Sequence, residues 1–337
     1  VKPLRRMLPY LPGAALALVA AALLAAIATS APPAQKKSLD PAAWGGDHVG
    51  QGVPQYTESG ECLFCHRAEV GRSWQTNKHN RTLRRVEADE PALAALRENP
   101  ATKTFADEVE FLLGDTRAQR FLKSAQAYGK ADLLTVVARF GRSRRARLEA
   151  TDNPRWEGET FARECAGCHT TAVDPQSHAF SAPYIDCFAC HGEPPAEHAN
   201  DASLAYLAKT RKDSAALVTS ICASCHVRFG KSKSSGLPYP NNFVAGDNLF
   251  KDFEVDWTMA DDPALNPADR HVIDNVREVV LYGNESTTCL TCHDVHTESS
   301  AKHRDLPVVD YCHHCHDKTD PIKGHKTYEV HSARCRH

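Results

Sequence analysis

Cys62-Leu-Phe-Cys65-His66 opens a series of six stretches built alike. Cys165-Ala-Gly-Cys168-His169, Cys187-Phe-Ala-Cys190-His191, Cys222-Ala-Ser-Cys225-His226, Cys289-Leu-Thr-Cys292-His293 and Cys312-His-His-Cys315-His316 complete it. Together they take up twelve of the 13 cysteines. With 18 histidines in 337 residues, six placements directly after a second cysteine have chance odds of roughly one in ten million or rarer. Two thiols three residues apart reach the two vinyl groups on one porphyrin edge as thioethers, and the adjacent imidazole then meets the iron. Each stretch therefore reads as the attachment site of one c-type haem, its cysteines the covalent anchors and its histidine the proximal ligand. Zinc sites pair Cys-x-x-Cys units but do not require a histidine after each one. Disulfide frameworks belong to short secreted chains, and a redox Cys-x-x-Cys needs a thioredoxin-like context that does not recur six times.

The rest of the composition agrees. Lys+Arg 40 against Asp+Glu 42 leaves a net charge of -2, which offers no electrostatic argument for nucleic acid. An aromatic share of 7% with Met 2 is little bulky material for one large conventional core. The expected fold class is mainly α with much irregular loop, a multihaem architecture in which six covalently bound haems form the core and the backbone has little reason to build sheets.

Residues 1–31 begin with Lys2, Arg5 and Arg6, continue through an apolar run from Ala14 to Ala28, and end in small residues before Pro32-Pro33. This layout predicts a secretory signal, or an uncleaved N-terminal membrane anchor. The fifteen-residue run is short for a span, which needs about twenty. Export suits c-type haem, which is assembled on the outer side of bacterial energy-transducing membranes, so a periplasmic or extracellular location is expected. Residues 32–58 read as a linker. A haem body carrying sites 1 to 4 is expected over 59–230, with a haem-free insertion at about 81–160. A second insertion follows over 231–288, and sites 5 and 6 lie in 289–337. In the first insertion Pro91-Ala-Leu-Ala-Ala-Leu-Arg-Glu98 predicts a short helix ended by Asn99-Pro100. Ala118, Phe121, Leu122 and Ala125 have helical spacing, whereas the run from Leu133 to Phe140 fits a strand. In the second insertion Asn266 caps a helix, Pro267 opens it, Val272, Ile273, Val276, Val279 and Val280 form its apolar stripe, and Gly283 closes it.

Each iron needs a second axial ligand, whose identity separates electron transfer from catalysis. Methionine supplies almost none, because Met7 lies in the signal and Met259 is the only other. Twelve histidines lie outside the motif positions, so bis-histidine ligation is the default. The candidates are His79, His198, His296, His325, His331 and His271, the last well off the apolar stripe of its helix. His48, His178, His303 and His337 are further histidines, and His313 and His314 sit inside the sixth motif. His296 lies three residues after His293, too close to bind the same iron from the opposite face, and so would reach a neighbouring haem.

The first motif with Trp74 and His79, Glu164-Cys-Ala-Gly-Cys-His-Thr-Thr171, Tyr184 through His198, Cys-Ala-Ser-Cys-His-Val-Arg228 and Cys-Leu-Thr-Cys-His-Asp-Val-His296 together resemble the cytochrome c-554 family of multihaem cytochromes, relatives of hydroxylamine oxidoreductase. The resemblance spans roughly residues 60 to 337. It implies closely packed haem pairs, with His79, His198 and His296 each ligating a haem other than the adjacent one. Two features depart from the family. Asn77 stands where a serine is usual, two residues before the histidine that His79 matches, and Ser332-Ala-Arg-Cys335-Arg-His337 looks like the start of a seventh site, truncated or lost.

Two function classes follow. The first is an electron carrier working between redox partner proteins, a donor and an acceptor. The alternative is a multihaem oxidoreductase in which one open haem acts on a small nitrogen or sulfur compound. Proton donors such as His178, His271 or Tyr184 are too scattered in sequence to define a catalytic constellation.

Overall fold

The computed structural model describes residues 56–297, apart from 115–116, 143–144, 150 and 210–211. The expected signal or anchor, most of the linker, the sixth motif with Cys312, Cys315 and His316, His48, His303, His325, His331 and the Cys335 segment lie outside the described residues.

The chain enters through helix α1 (Ser59–His66), which carries the first motif, continues through one π turn (Arg67–Gly71), and ends in α2 (Arg72–Thr76). Beyond His79 it builds a sheet. Strands β1 (Leu83–Arg85), β2 (Phe111–Gly114), β3 (Ala118–Ser124), β4 (Ala131–Phe140) and β5 (Ala146–Leu148) pair in sequence order, all antiparallel, and β6 (Trp156–Glu157) pairs with the first half of β4. The only helix of eight residues in this segment, α3 (Pro91–Glu98), begins at Pro91 and is capped by Asn99, as its sequence predicts.

The expectation of an almost sheet-free backbone is corrected here, and so is the helical spacing of Ala118, Phe121, Leu122 and Ala125. The physical reason lies in the two faces of the sheet. Leu112, Phe121, Leu134, Val136 and Ala138 pack on one side against Ala92, Leu93 and Leu96 of α3. Phe111, Leu113, Leu122, Ala131 and Leu133 point to the other, against Leu83, Phe161 and Ala166. A strand buried on both faces carries apolar residues in runs rather than in alternation, and such a run is easily read as helical. A register shift between Arg120 and Leu122 is a local irregularity of the kind that re-aims side chains between faces.

The second face of the sheet positions a motif. Short helices α4 (Thr160–Glu164) and α5 (Ala166–His169) follow β6 directly, and Ala166 and the half-buried Cys165 pack into that apolar cluster. The first insertion therefore walls the second motif. Helix α6 (Cys187–His191) holds the third motif, its N-terminus capped by the Asp186 carboxylate, which accepts from the Phe188 N–H at 3.0 Å. Helix α7 (Ala215–His226) ends in the fourth motif.

A second core joins Ala223 and Val227 at the end of α7 to the small hairpin of β7 (Gly230–Ser232) and β8 (Phe253–Val255) and to α8 (Pro267–Tyr282). The Asn266 side chain accepts from the Ala268 N–H at 2.9 Å, Pro267 opens α8, and Gly283 closes it in the left-handed conformation that costs glycine no Cβ clash. Ile273, Val276 and Val280 form the buried stripe. Helix α9 (Cys289–Cys292) carries the fifth motif. Among the described residues no helix is long and apolar enough to cross a membrane.

Candidate functional site

Five motifs lie within the described residues, and their histidines do not stand alone. His66 faces His198 with ring centroids 6.5 Å apart. His226 faces His79 at 6.2 Å, His191 faces His296 at 6.0 Å with the rings nearly parallel, and His293 faces His271 at 6.4 Å. In every pair one ring comes from a motif and the other from outside the motifs, and in all but the His271–His293 pair the two are more than a hundred residues apart. Two imidazoles holding one metal between their ring nitrogens need centroids about 6 Å apart, from two metal–nitrogen bonds of about 2 Å and about 1 Å within each ring. The pairs therefore have the spacing that an axial pair requires.

The remaining donors fit a porphyrin better than a bare ion. A bare zinc ion needs three or four protein ligands, and among the described residues no group of three or more His, Cys, Asp or Glu side chains converges. A porphyrin brings four nitrogens and leaves two axial positions, which is what two facing rings beside a Cys-x-x-Cys pair supply. None of the ten described cysteines forms a disulfide, so both thiols of each described motif remain for thioether bonds.

Backbone and side-chain acceptors fix the rings. His191 Nδ1 lies 2.6 Å from the Tyr206 carbonyl and His198 Nδ1 2.8 Å from the Pro195 carbonyl. His66 Nδ1 lies 3.2 Å from the Glu69 carboxylate and His79 Nδ1 3.2 Å from Asn77 Oδ1. An acceptor at Nδ1 keeps the proton there and leaves the Nε2 lone pair for a metal. Burial acts in the same sense. It lowers the pKa of His79, His191 and His296, and it takes His169 and His226 down to about 4, with the Arg228 charge assisting at both and the His79 charge assisting at His226. Neutral imidazole is the ligating form.

His169 differs. Among the described residues it has no facing ring, and its buried Nδ1 has no hydrogen-bond partner. Thr82 ties the backbone beside it to another ring segment, its hydroxyl lying 2.9 Å from the His169 carbonyl and 3.2 Å from the His79 carbonyl.

Cysteines of different motifs also meet. Cys62 contacts Cys187, Cys168 contacts Cys225, and Cys222 contacts Cys289, while Cys190 lies close enough to Cys225 to feel its charge. Burial pushes the Cys190 thiol up to about 12, a cost that a neutral thioether does not carry. The first motif thus touches the third, and the fourth touches both the second and the fifth, with Cys190 of the third near Cys225 of the fourth.

Of the predicted site residues, His79, His198, His296 and His271 each face a motif histidine, whereas His178 closes a turn with Asp174 and faces no motif ring among the described residues. His271 lies off the apolar stripe of α8, and that position aims it at His293. Sequence reasoning missed Tyr206 and Thr82, which help hold the ring segments, and marked the buried Asn77 only as a departure from a family pattern. It also missed Gly167, where a Cβ would stand 2.1 Å from the Tyr239 ring. Only the small residue inside the second motif gave any sign of that contact.

No family model matches the chain, and no curated protein sequence matches it. Among solved structures, the undecaheme cytochrome from the S-layer of Carboxydothermus ferrireducens is similar at 16% identity, with a TM-score of 0.45 over 80% of this chain. The chain spans 44% of that protein's length, and a likeness of this degree carries no argument.

Proposed function

We propose that the chain is an exported hexahaem c-type cytochrome that carries electrons between redox partner proteins through haems of mostly bis-histidine ligation. The observation that carries this reading is the set of four motif histidines, each faced by a non-motif histidine at 6.0–6.5 Å. Bound haem supplies one-electron chemistry at iron, with a potential set by its axial ligands and surroundings. The chain's own residues then do three things. The Cys-x-x-Cys thiols would anchor the group, the paired imidazoles would hold its iron, and the acceptors at Nδ1 would fix ring orientation and basicity.

The contacts between motif cysteines support an electron path through sites 1, 3, 4 and 5, with site 2 branching at site 4. A donor and an acceptor protein are the expected partners. Periplasmic or extracellular location rests on the N-terminal sequence, as does the alternative of an N-terminal membrane anchor. Kinship with the cytochrome c-554 family belongs to the same proposal and rests on the motif sequences alone.

A second reading, an oxidoreductase with one open iron acting on a small nitrogen or sulfur compound, is favoured by one site. His169 has no facing histidine among the described residues, and the Arg228 charge acts on it, which suits a small anion.

The test is covalent haem content. After export in a host with c-type haem maturation, the denatured chain is expected to retain six haems by mass. A chain that folds without covalent haem would overturn the reading. Replacing His198 or His296 by alanine is expected to convert one haem each from low to high spin, and an unchanged spectrum in both variants would remove the cross-ligand assignment.

A further inference from the structure

Asn77 is buried at 4% exposure between two of these pairs. Its amide nitrogen donates to the carbonyls of Val295 at 2.7 Å and Thr297 at 2.8 Å, the residues on either side of His296. Its Oδ1 accepts from the backbone N–H of His79 at 2.9 Å and lies 3.2 Å from His79 Nδ1. An asparagine amide has two donor hydrogens and two acceptor lone pairs, and all four are used here. His79 faces the fourth motif and His296 the third, so one side chain fixes rings that serve two different sites.

We propose that Asn77 is the positioning residue that locks the distal ligands of haems 3 and 4 as a unit. The assignment rests on the reading that the facing rings clasp haem iron. The residue type follows from the geometry. Aspartate would accept from His79 but has no hydrogen to give the two carbonyls, and a buried carboxylate facing carbonyl oxygens is costly. Serine can close the short turn onto the His79 N–H, but its side chain is shorter by one heavy atom and has a single donor, so it cannot hold both carbonyls across 218 and 220 residues of sequence separation. The 294–297 turn keeps its own bonds, His296 N–H to Asp294 Oδ1 at 3.1 Å and Thr297 Oγ1 to the Asp294 carbonyl at 3.1 Å. Loss of Asn77 therefore frees the turn without unravelling it.

The experiment is carbon monoxide binding to the fully reduced, haem-loaded protein, counted per chain, with electron paramagnetic resonance of the oxidised form. Asn77→Ala is expected to add two carbon-monoxide-binding haems to the wild-type count, and Asn77→Ser only one, with the spectrum of His296→Ala. His79→Ala and His296→Ala are expected to add one each. If those two histidine variants leave the count unchanged, the bis-histidine reading itself fails. If they add one each while Asn77→Ala and Asn77→Ser add none, or if Asn77→Ala opens a single haem, the unit role of Asn77 is overturned and the reading stands. Should Asn77→Ala fail to load haem, the Asn77→Ser count decides alone.

Discussion

At the scale of single residues, burial chooses the form of the histidines before any metal arrives. His79, His169, His191, His226 and His296 all have pKa values below the ordinary imidazole value, and desolvation is the largest cause at each. A base whose folded pKa is lowered is unprotonated in the fold while the unfolded chain binds a proton. Its contribution to stability is complete above the ordinary value near 6.5 and is lost as pH falls through the folded value, about 4 for His169 and His226. Acid titration of the loaded protein should leave the His79–His226 and His191–His296 sites low-spin well below the ordinary imidazole value near 6.5, because burial lowers the pKa of all four rings. High-spin conversion of these sites centred near pH 6.5 would contradict the burial account. Gly167 gives a second residue-level outcome. A Cβ there meets the Tyr239 ring, whose hydroxyl donates to the Ala162 carbonyl at 2.5 Å. Gly167→Ala should cost roughly 1–3 kcal/mol, the range of an overpacked core, measured by denaturant unfolding; a neutral result would mean that Tyr239 is not held there. The sequence made the candidate ligands legible by elimination, since two methionines cannot serve six irons. Which histidine faces which motif was not legible. For three of the four pairs it depends on contacts between residues separated by about a hundred positions or more, for which local spacing carries no signal. Asn77 was visible only as an oddity.

Among the secondary-structure elements, signal strength follows the locality of the cause. Helix α8 was readable end to end because its cap, its opening proline, its stripe and its closing glycine all act within its sixteen residues and the one flanking each end. The sheet was not, because β3 and β4 are buried on both faces and their apolar residues serve two different cores. Leu133 and Leu134 are neighbours in sequence and enter opposite clusters, a pattern that neither helical nor alternating periodicity describes. Phe121 is wholly buried between the sheet and α3. Phe121→Ala should cost about 3–5 kcal/mol in chemical denaturation. Because the other face of the sheet packs on the second motif, the same variant should disturb the haem attached at Cys165 and Cys168 before the one at Cys289 and Cys292. Equal disturbance of both would argue against the sheet as the wall of site 2.

At the scale of the whole molecule, the facing rings add links between separate segments of chain to those made by the apolar cores and by Asn77. The paired rings join residues 66 to 198, 79 to 226, 191 to 296 and 271 to 293, and cysteines of different motifs touch at three places. Such a molecule should depend on haem for its fold, because three of its long-range links are ring pairs with space for a metal between them. The direct test is carbon monoxide binding to the fully reduced protein carrying six haems, calibrated per haem. If the four facing histidines close their sites, at most two stay open, those of His169 and His316, so no more than two equivalents should bind. Three or more equivalents would mean that a facing pair does not clasp iron, contradicting the claim on which the electron-carrier reading rests.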